Sequence, residues 1–189
     1  MARPLDHRKR AELLAGVVAY IATHGLAELS LRPLAAALGT SSRMLIYYFG
    51  TKEELLVQAL ATQRPDLAAV FGGVTEPAQL RDRLTAFFDL NTDGAEADSV
   101  RVLLQVLGAA CAPGSPYQDY ADAAIATFVG ELAAALRRTG LADDPEVVAT
   151  LLVSGLRGII QDRVITGDRE RTGRAARTLV DAVLPTRVR

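Results

Sequence analysis

The chain has 189 residues, half of them hydrophobic, with 21 Lys and Arg against 22 Asp and Glu for a net charge of −1. That is enough apolar material for one large or two small domains, and the even charge argues against a protein that coats nucleic acid over its whole surface. The single cysteine, Cys111, excludes an intrachain disulfide framework and a Cys-rich zinc site. No run approaches the ~18–20 apolar residues of a membrane span, and the basic opening MARPLDHRKR lacks the apolar stretch of a secretory signal. A cytoplasmic chain is expected.

In chain order, Arg8 to His24 predicts an amphipathic helix. Leu13, Leu14, Val17, Val18 and Ile21 recur on one face, and Gly25 closes it. Ser30 to Leu55, SLRPLAAALGTSSRMLIYYFGTKEEL, then reads as two short helices joined by a tight turn at Gly39, followed by the start of a third. Ser30 suits an N-cap and Pro33 falls in the first turn, where its missing N–H costs little. Leu34, Ala35, Leu38, Leu45 and Phe49 take the inward positions, and Ala35 to Ala37 keep the helix thin. Thr40 or Ser41 caps the next helix, which runs to about Tyr48. Gly50 breaks it, and Thr51 with Glu54 makes a capping-box pattern. This is the layout of a helix-turn-helix, whose second helix enters the DNA major groove. Residues 1–60 carry seven Lys or Arg and five Asp or Glu; the rest carry fourteen and seventeen. A mildly basic head on a mildly acidic body suits phosphate contact at one end.

Beyond the head the pattern stays helical. The fourth helix is expected to end near Arg64, before Pro65, and a connection at Phe71-Gly72-Gly73 follows. Helices are predicted from about Pro77 to Asn91, Asp98 to Cys111, Tyr117 to Arg138, Pro145 to Thr166, and Asp168 to Leu184. Turn signals at Asp93-Gly94, Pro113-Gly114-Ser115-Pro116 and Gly140 separate several of them. The fold class expected is all-α: an N-terminal helix-turn-helix domain over residues 1–50, then a larger helical domain over 51–189.

The head resembles the TetR family of one-component transcriptional regulators. The resemblance is carried by Gly25, Ser30-Leu31-Arg32, Leu34-Ala35, Leu38-Gly39, Ser41, Leu45, Tyr48-Phe49, Lys52-Glu53 and Leu55-Leu56, between about Arg8 and Leu56, roughly a quarter of the chain. Ile46 departs from it, standing where the family commonly has a tyrosine that touches the DNA backbone. Arg43 and Met44 are larger than the residues often found there, so the base sequence read is expected to be particular to this protein.

Roles follow for the head. Arg43 is the candidate for a bidentate guanine contact, worth roughly 1–3 kcal/mol of discrimination, with a phosphate contact as the alternative. Ser42 and Tyr47 face the same groove, and Met44 suits a thymine methyl. Arg32 sits at the start of the preceding helix, a position that touches a base or phosphate in the resembling family. Thr40, Ser41, Tyr48 and Lys52 are candidates for phosphates, Lys52 beside a helix N-terminus that favours anions. Arg8, Lys9 and Arg10 read equally as a solvated run or an arm along DNA.

The resemblance implies a small-molecule effector among the middle helices, with Phe87, Phe88, Leu104, Leu107, Phe128 and Leu132 as candidate lining and Arg101, Gln105 and Gln161 as polar partners. The apolar lining favours an apolar effector. It also implies that the last two helices form a four-helix bundle with a second copy. Val148, Leu152, Gly155, Leu156, Ile159, Leu179 and Val183 are the candidate homodimer interface. The function expected is a ligand-responsive regulator, most simply a repressor on a palindromic double-stranded operator; an adaptor or activator working through protein partners is the alternative. An enzyme is disfavoured. His7 and His24 are the only histidines, and no metal-ligand, nucleophile-elbow or phosphate-loop motif occurs. No cofactor, metal or membrane partner is expected.

Overall fold

In the computed structural model, residues 7–62, 64–93 and 96–184 are described. Among them ten helices and no strand occur: α1 (His7–His24), α2 (Leu31–Ala37), α3 (Ser42–Phe49), α4 (Lys52–Ala61), α5 (Leu67–Phe71), α6 (Pro77–Asp93), α7 (Ala97–Ala110), α8 (Gln118–Thr139), α9 (Pro145–Thr166) and α10 (Arg169–Val183). The fold is all-α. The chain divides into two compact units, residues 1–64 with 98–121, and residues 65–97 with 122–189. The first unit holds α1 to α4 together with α7.

In the first unit α1 packs on α4, and α2 and α4 pack on α3. Their shared centre is Leu13, Leu14, Val17, Val18, Ile21, Leu34, Ala35, Leu45, Phe49, Leu55, Leu56 and Leu60, all buried. The turn between α2 and α3 is closed by Gly39 at φ +62°. Its N–H bonds the Ala36 carbonyl at 3.2 Å and the Thr40 N–H bonds that of Ala35 at 2.9 Å. That pairing needs a left-handed residue, which glycine supplies without a Cβ penalty. Ser41 caps α3, its hydroxyl accepting from the Met44 N–H at 3.2 Å. Thr51 and Glu54 form the expected capping box on α4, at 3.0 and 2.7 Å. Ser30 stands at the N-cap of α2, but its side chain makes no cap bond. The backbone is extended there, and the residue caps by position alone.

In the second unit α6 packs on α9 and α10, α9 lies along α10, and α5 rests on α6. The short helix α5 was expected to be connection. Asp66 starts it by accepting from the Ala69 N–H at 2.9 Å. Arg138 closes it, donating to the Phe71 and Val74 carbonyls at 2.6 and 3.2 Å. The preceding helix stops at Ala61, short of Arg64, because Pro65 disfavours helical angles in the residue before it. Of the turn expected at Asp93-Gly94, Asp93 is the last residue of α6, and Gly94 lies outside the described residues. Gly155 marks the closest crossing of α9 and α10: a Cβ placed there would stand 2.5 Å from Leu179 Cδ2.

Candidate nucleic-acid interface

The recognition surface is built on the eight residues of α3. Leu45 and Phe49 are buried and anchor the helix; Ser42 and Tyr48 are half-buried beside them. At 3.6 residues per turn the side opposite this anchor carries Arg43 and Tyr47, one turn apart. Met44 lies on one flank of that crest and Ile46 on the other. All four are exposed: Tyr47 by 56%, Ile46 by 44% and Met44 by 38%. Arg43 makes no ion pair with any described residue. Tyr47 and Tyr48 meet edge to face, centroids 5.6 Å apart, which orients both rings.

The remaining head residues fall around this crest. Arg32 is exposed in the first turn of α2. Ser41 is exposed; its oxygen accepts the cap bond, which leaves the hydroxyl proton to donate. Thr40 is half-buried in the turn. The ammonium of Lys52 lies 3.4 Å from the Leu29 carbonyl and 3.6 Å from Glu53, so an anion there competes with both. Arg10 does not form an arm. It donates to the Gln58 side chain, and its guanidinium lies 5.3 Å from the Phe49 ring centroid. Arg8 and Lys9 pair with Glu12 at 3.7 and 4.0 Å.

Two tyrosines brace the first unit. Burial pushes both the Tyr117 and Tyr120 hydroxyls above their ordinary value. The Glu53 carboxylate adds to this at Tyr117; Arg64 opposes it at Tyr120. Arg64 stacks on the Tyr120 ring at 4.7 Å. Both phenols stay protonated at neutral pH, which suits bracing.

The candidate effector residues are divided between the two units. Phe87 and Phe128 are half-buried and meet edge to face at 5.0 Å, with Phe71 within 6.3 Å of both. Leu132 is fully buried in the same unit. Phe88 is buried too, but under the guanidinium of Arg163 at 4.8 Å, so it packs a cation instead of facing a cavity. Leu104 and Leu107 are half-buried and Arg101 exposed on α7, in the first unit. The Gln105 amide is already engaged, its oxygen accepting from the Leu26 N–H at 2.7 Å and its nitrogen donating to the Arg101 carbonyl at 3.3 Å. Gln161 is exposed on the outer side of α9.

The candidate interface residues differ in their burial within the protomer. Leu152 and Leu156 are buried inside the protomer, and Gly155 is filled by Leu179 of the same chain, so these three serve the fold. Val148, Ile159, Leu179 and Val183 are half-buried. The exposed strip of α9 is a different one: Val147, Leu151, Ser154, Gly158, Gln161 and Ile165. Its alternating steps of four and three residues were visible in the sequence; the bulkier neighbouring face drew the assignment instead. On α10 lies an open groove of about 680 Å³ lined by residues that include Arg171, Ala175, Thr178, Leu179 and Ala182. Arg163 was not anticipated either. It is a buried cation on α9 that donates to Thr172, Thr92, Asp93 and the Arg169 carbonyl at 2.8, 2.9, 2.6 and 2.9 Å.

Among the described residues no helix is long and apolar enough to cross a membrane, and no group of three His, Cys, Asp or Glu is placed to hold a metal. Residues 13–59 match the family model described as bacterial regulatory proteins, tetR family. No curated protein sequence matches the chain. Several solved structures share its fold. A transcriptional regulator from Rhodococcus sp. Rha1 superposes with a TM-score of 0.78 at 23% identity, covering 93% of this chain and 95% of its own. SmeT, the repressor of the Stenotrophomonas maltophilia multidrug efflux pump SmeDEF, gives 0.72 at 18% identity over 93% and 88%. Its complex with triclosan gives 0.75 at 19% identity over 94% and 90%. A protein from Saccharomonospora viridis described as a transcriptional regulator, in complex with choline, gives 0.73 at 22% identity over 93% and 94%.

Proposed function

We propose that this chain, whose residues 13–59 match the tetR family model, is a regulator of that family that binds a palindromic operator as a homodimer and is released from it by an apolar effector. The observation that carries this reading is the crest of α3: Arg43 and Tyr47 stand exposed on a helix whose opposite side is locked into the head by Leu45 and Phe49. An arginine so placed can make a bidentate contact to guanine, while Arg32, Thr40, Ser41, Ser42, Tyr48 and Lys52 surround it with cation, amide and hydroxyl donors suited to DNA.

A single eight-residue helix covers few base pairs, and two copies related by a two-fold read successive major grooves about 34–36 Å apart. The strip Val147, Leu151, Ser154, Gly158, Gln161 and Ile165 favours such pairing. Apolar groups lie towards its ends, and Ser154 and Gly158 remove bulk where a second α9 would cross. An effector near the half-exposed Phe87 and Phe128 rings would release DNA only by binding the DNA-incompetent arrangement more tightly. SmeT with triclosan and the S. viridis protein with choline show that proteins of this fold hold small organic molecules.

Selection of DNA from a random pool by the purified protein, with Arg43→Ala run alongside, tests the reading. A recovered palindrome whose guanine preference weakens in the variant is the expected result. No enrichment at low salt by folded protein would overturn it and favour an adaptor acting through protein partners.

A further inference from the structure

The recognition helix is poor in hydrogen-bonding groups. Of the four exposed side chains on α3, one is charged, Arg43, and one carries a hydroxyl, Tyr47; the other two, Met44 and Ile46, are purely apolar. They are not remnants of the core. The anchor of α3 is complete with Leu45 and Phe49, both within 3% of full burial. Met44 and Ile46 flank the Arg43–Tyr47 crest on opposite sides, roughly 200° apart around the helix axis at ~100° per residue.

We infer that α3 reads thymine 5-methyl groups on both sides of its arginine, Ile46 on one flank and Met44 on the other. This rests on the proposed DNA-binding role and specifies what that surface recognises. The argument is one of chemical exclusion. Ile46 cannot donate to a phosphate, nor to the acceptors of guanine and adenine, and it cannot accept from an exocyclic amine. Among the four base edges in the major groove, the thymine C5 methyl is the apolar group on offer. An apolar side chain held over the base edges gains most by covering such a group. Met44, unbranched and with a polarizable sulfur, follows a methyl over a range of positions; Ile46, branched at Cβ, is held to fewer rotamers. Ile46 is therefore the stricter reader. The half-site that fits is a guanine bracketed by thymines.

The test uses the selected operator, with each thymine replaced in turn by deoxyuridine. That change removes one methyl and leaves every hydrogen-bonding group in place. Burying one methyl is worth a factor of about three to five in affinity, and a loss of that size is expected at one thymine on each side of the guanine. Ile46→Ala is expected to bind the unmodified operator several-fold more weakly and to lose its sensitivity to deoxyuridine at one flank alone. Met44→Ala should lose it at the other. Ile46 and Met44 are exposed, so both variants fold, which circular dichroism verifies. If every deoxyuridine substitution changes affinity by less than about twofold while Arg43→Ala still weakens the guanine preference, DNA reading stands and methyl reading is wrong. A selected half-site with no thymine beside the guanine overturns it equally. Failure to bind any DNA removes both readings together.

Discussion

In the first unit, helix ends are closed by residues three or four positions away: Ser41 on Met44, Thr51 on Glu54, Gly39 on Ala36. In the second, the ends of α6, α9 and α10 meet on one buried side chain, Arg163, whose partners lie between 6 and 71 residues away in the chain. Local devices let a short helix stand at a fixed angle on a small core, which is what presenting Arg43 and Tyr47 requires. A long-range knot does something else: it ties three helices into one body. The comparison teaches that the turn and caps which orient α3 are set by sequence neighbours, whereas the junction of α6, α9 and α10 rests on a cation whose partners are distant in sequence.

The largest expected effects lie in the body. Leu152→Ala removes a fully buried side chain from α9 and is expected to cost about 2–5 kcal/mol in a urea unfolding curve. Leu151, adjacent but 54% exposed, is the contrast. Leu151→Lys should leave the helical circular dichroism unchanged and shift sedimentation towards the monomer. If Leu151→Lys leaves the dimer intact, the exposed strip of α9 is not the interface. Arg163→Ala comes next. It takes a donor from the Thr172 hydroxyl, the Arg169 carbonyl and the Asp93 carboxylate, which keeps Arg169 at 3.3 Å, and uncovers Phe88, for a loss of about 3 kcal/mol. Asp93→Asn should cost less, because Arg163 keeps its other three acceptors. Equal losses for the two would mean that the ion pair, and not the knot, holds the body together.

The same contrast explains what was legible in the sequence. Gly39, Ser41, Thr51 and Glu54 act through local backbone geometry, so their spacing alone placed the turn, the caps and the recognition helix. The buried face of α1 followed from Leu13, Leu14, Val17, Val18 and Ile21 for the same reason. Burial in the body is decided by partners far along the chain. Leu152 and Leu151 look alike in sequence, yet one is enclosed and the other open because α10 covers only one side of α9. Gln105 read as a polar group for an effector; its amide instead holds the Leu26 N–H, a partner 79 residues away. Arg163 resembled any surface arginine until α6 and α10 closed around it.

A smaller effect tests the head. Thr51→Ala removes the hydroxyl that accepts from the Glu54 N–H and is expected to cost about 1 kcal/mol. Amide exchange should quicken first at the start of α4. Since α4 packs on α1 and α3, DNA affinity should fall modestly while the base preferences set by Arg43 remain. A changed base preference would mean that the local caps position α3 less independently than their short range implies.

The smallest effect concerns a local device in the body. Between α9 and α10, Arg171 donates to Asp162 at 2.6 and 2.7 Å and to Asp168 at 3.1 Å, and its own N–H bonds Asp168 at 3.0 Å. Both carboxyls are held below their ordinary value of 3.8, Asp162 chiefly by the Arg171 side chain and Asp168 chiefly by the Arg171 backbone N–H. A carboxyl lowered by folding contributes stability that is complete above its unfolded value and is lost as pH falls through its folded one. Acid should therefore loosen this turn only below the ordinary carboxylate range, and weakly, because the groups are exposed. Arg171→Ala separates the two causes. The variant keeps the backbone N–H and loses the guanidinium, so Asp162 should titrate back towards 3.8 while Asp168 stays low, as carboxyl carbon shifts in an NMR titration would record. Equal recovery of both would show that the guanidinium sets both values and that the cap at Asp168 contributes little of its own.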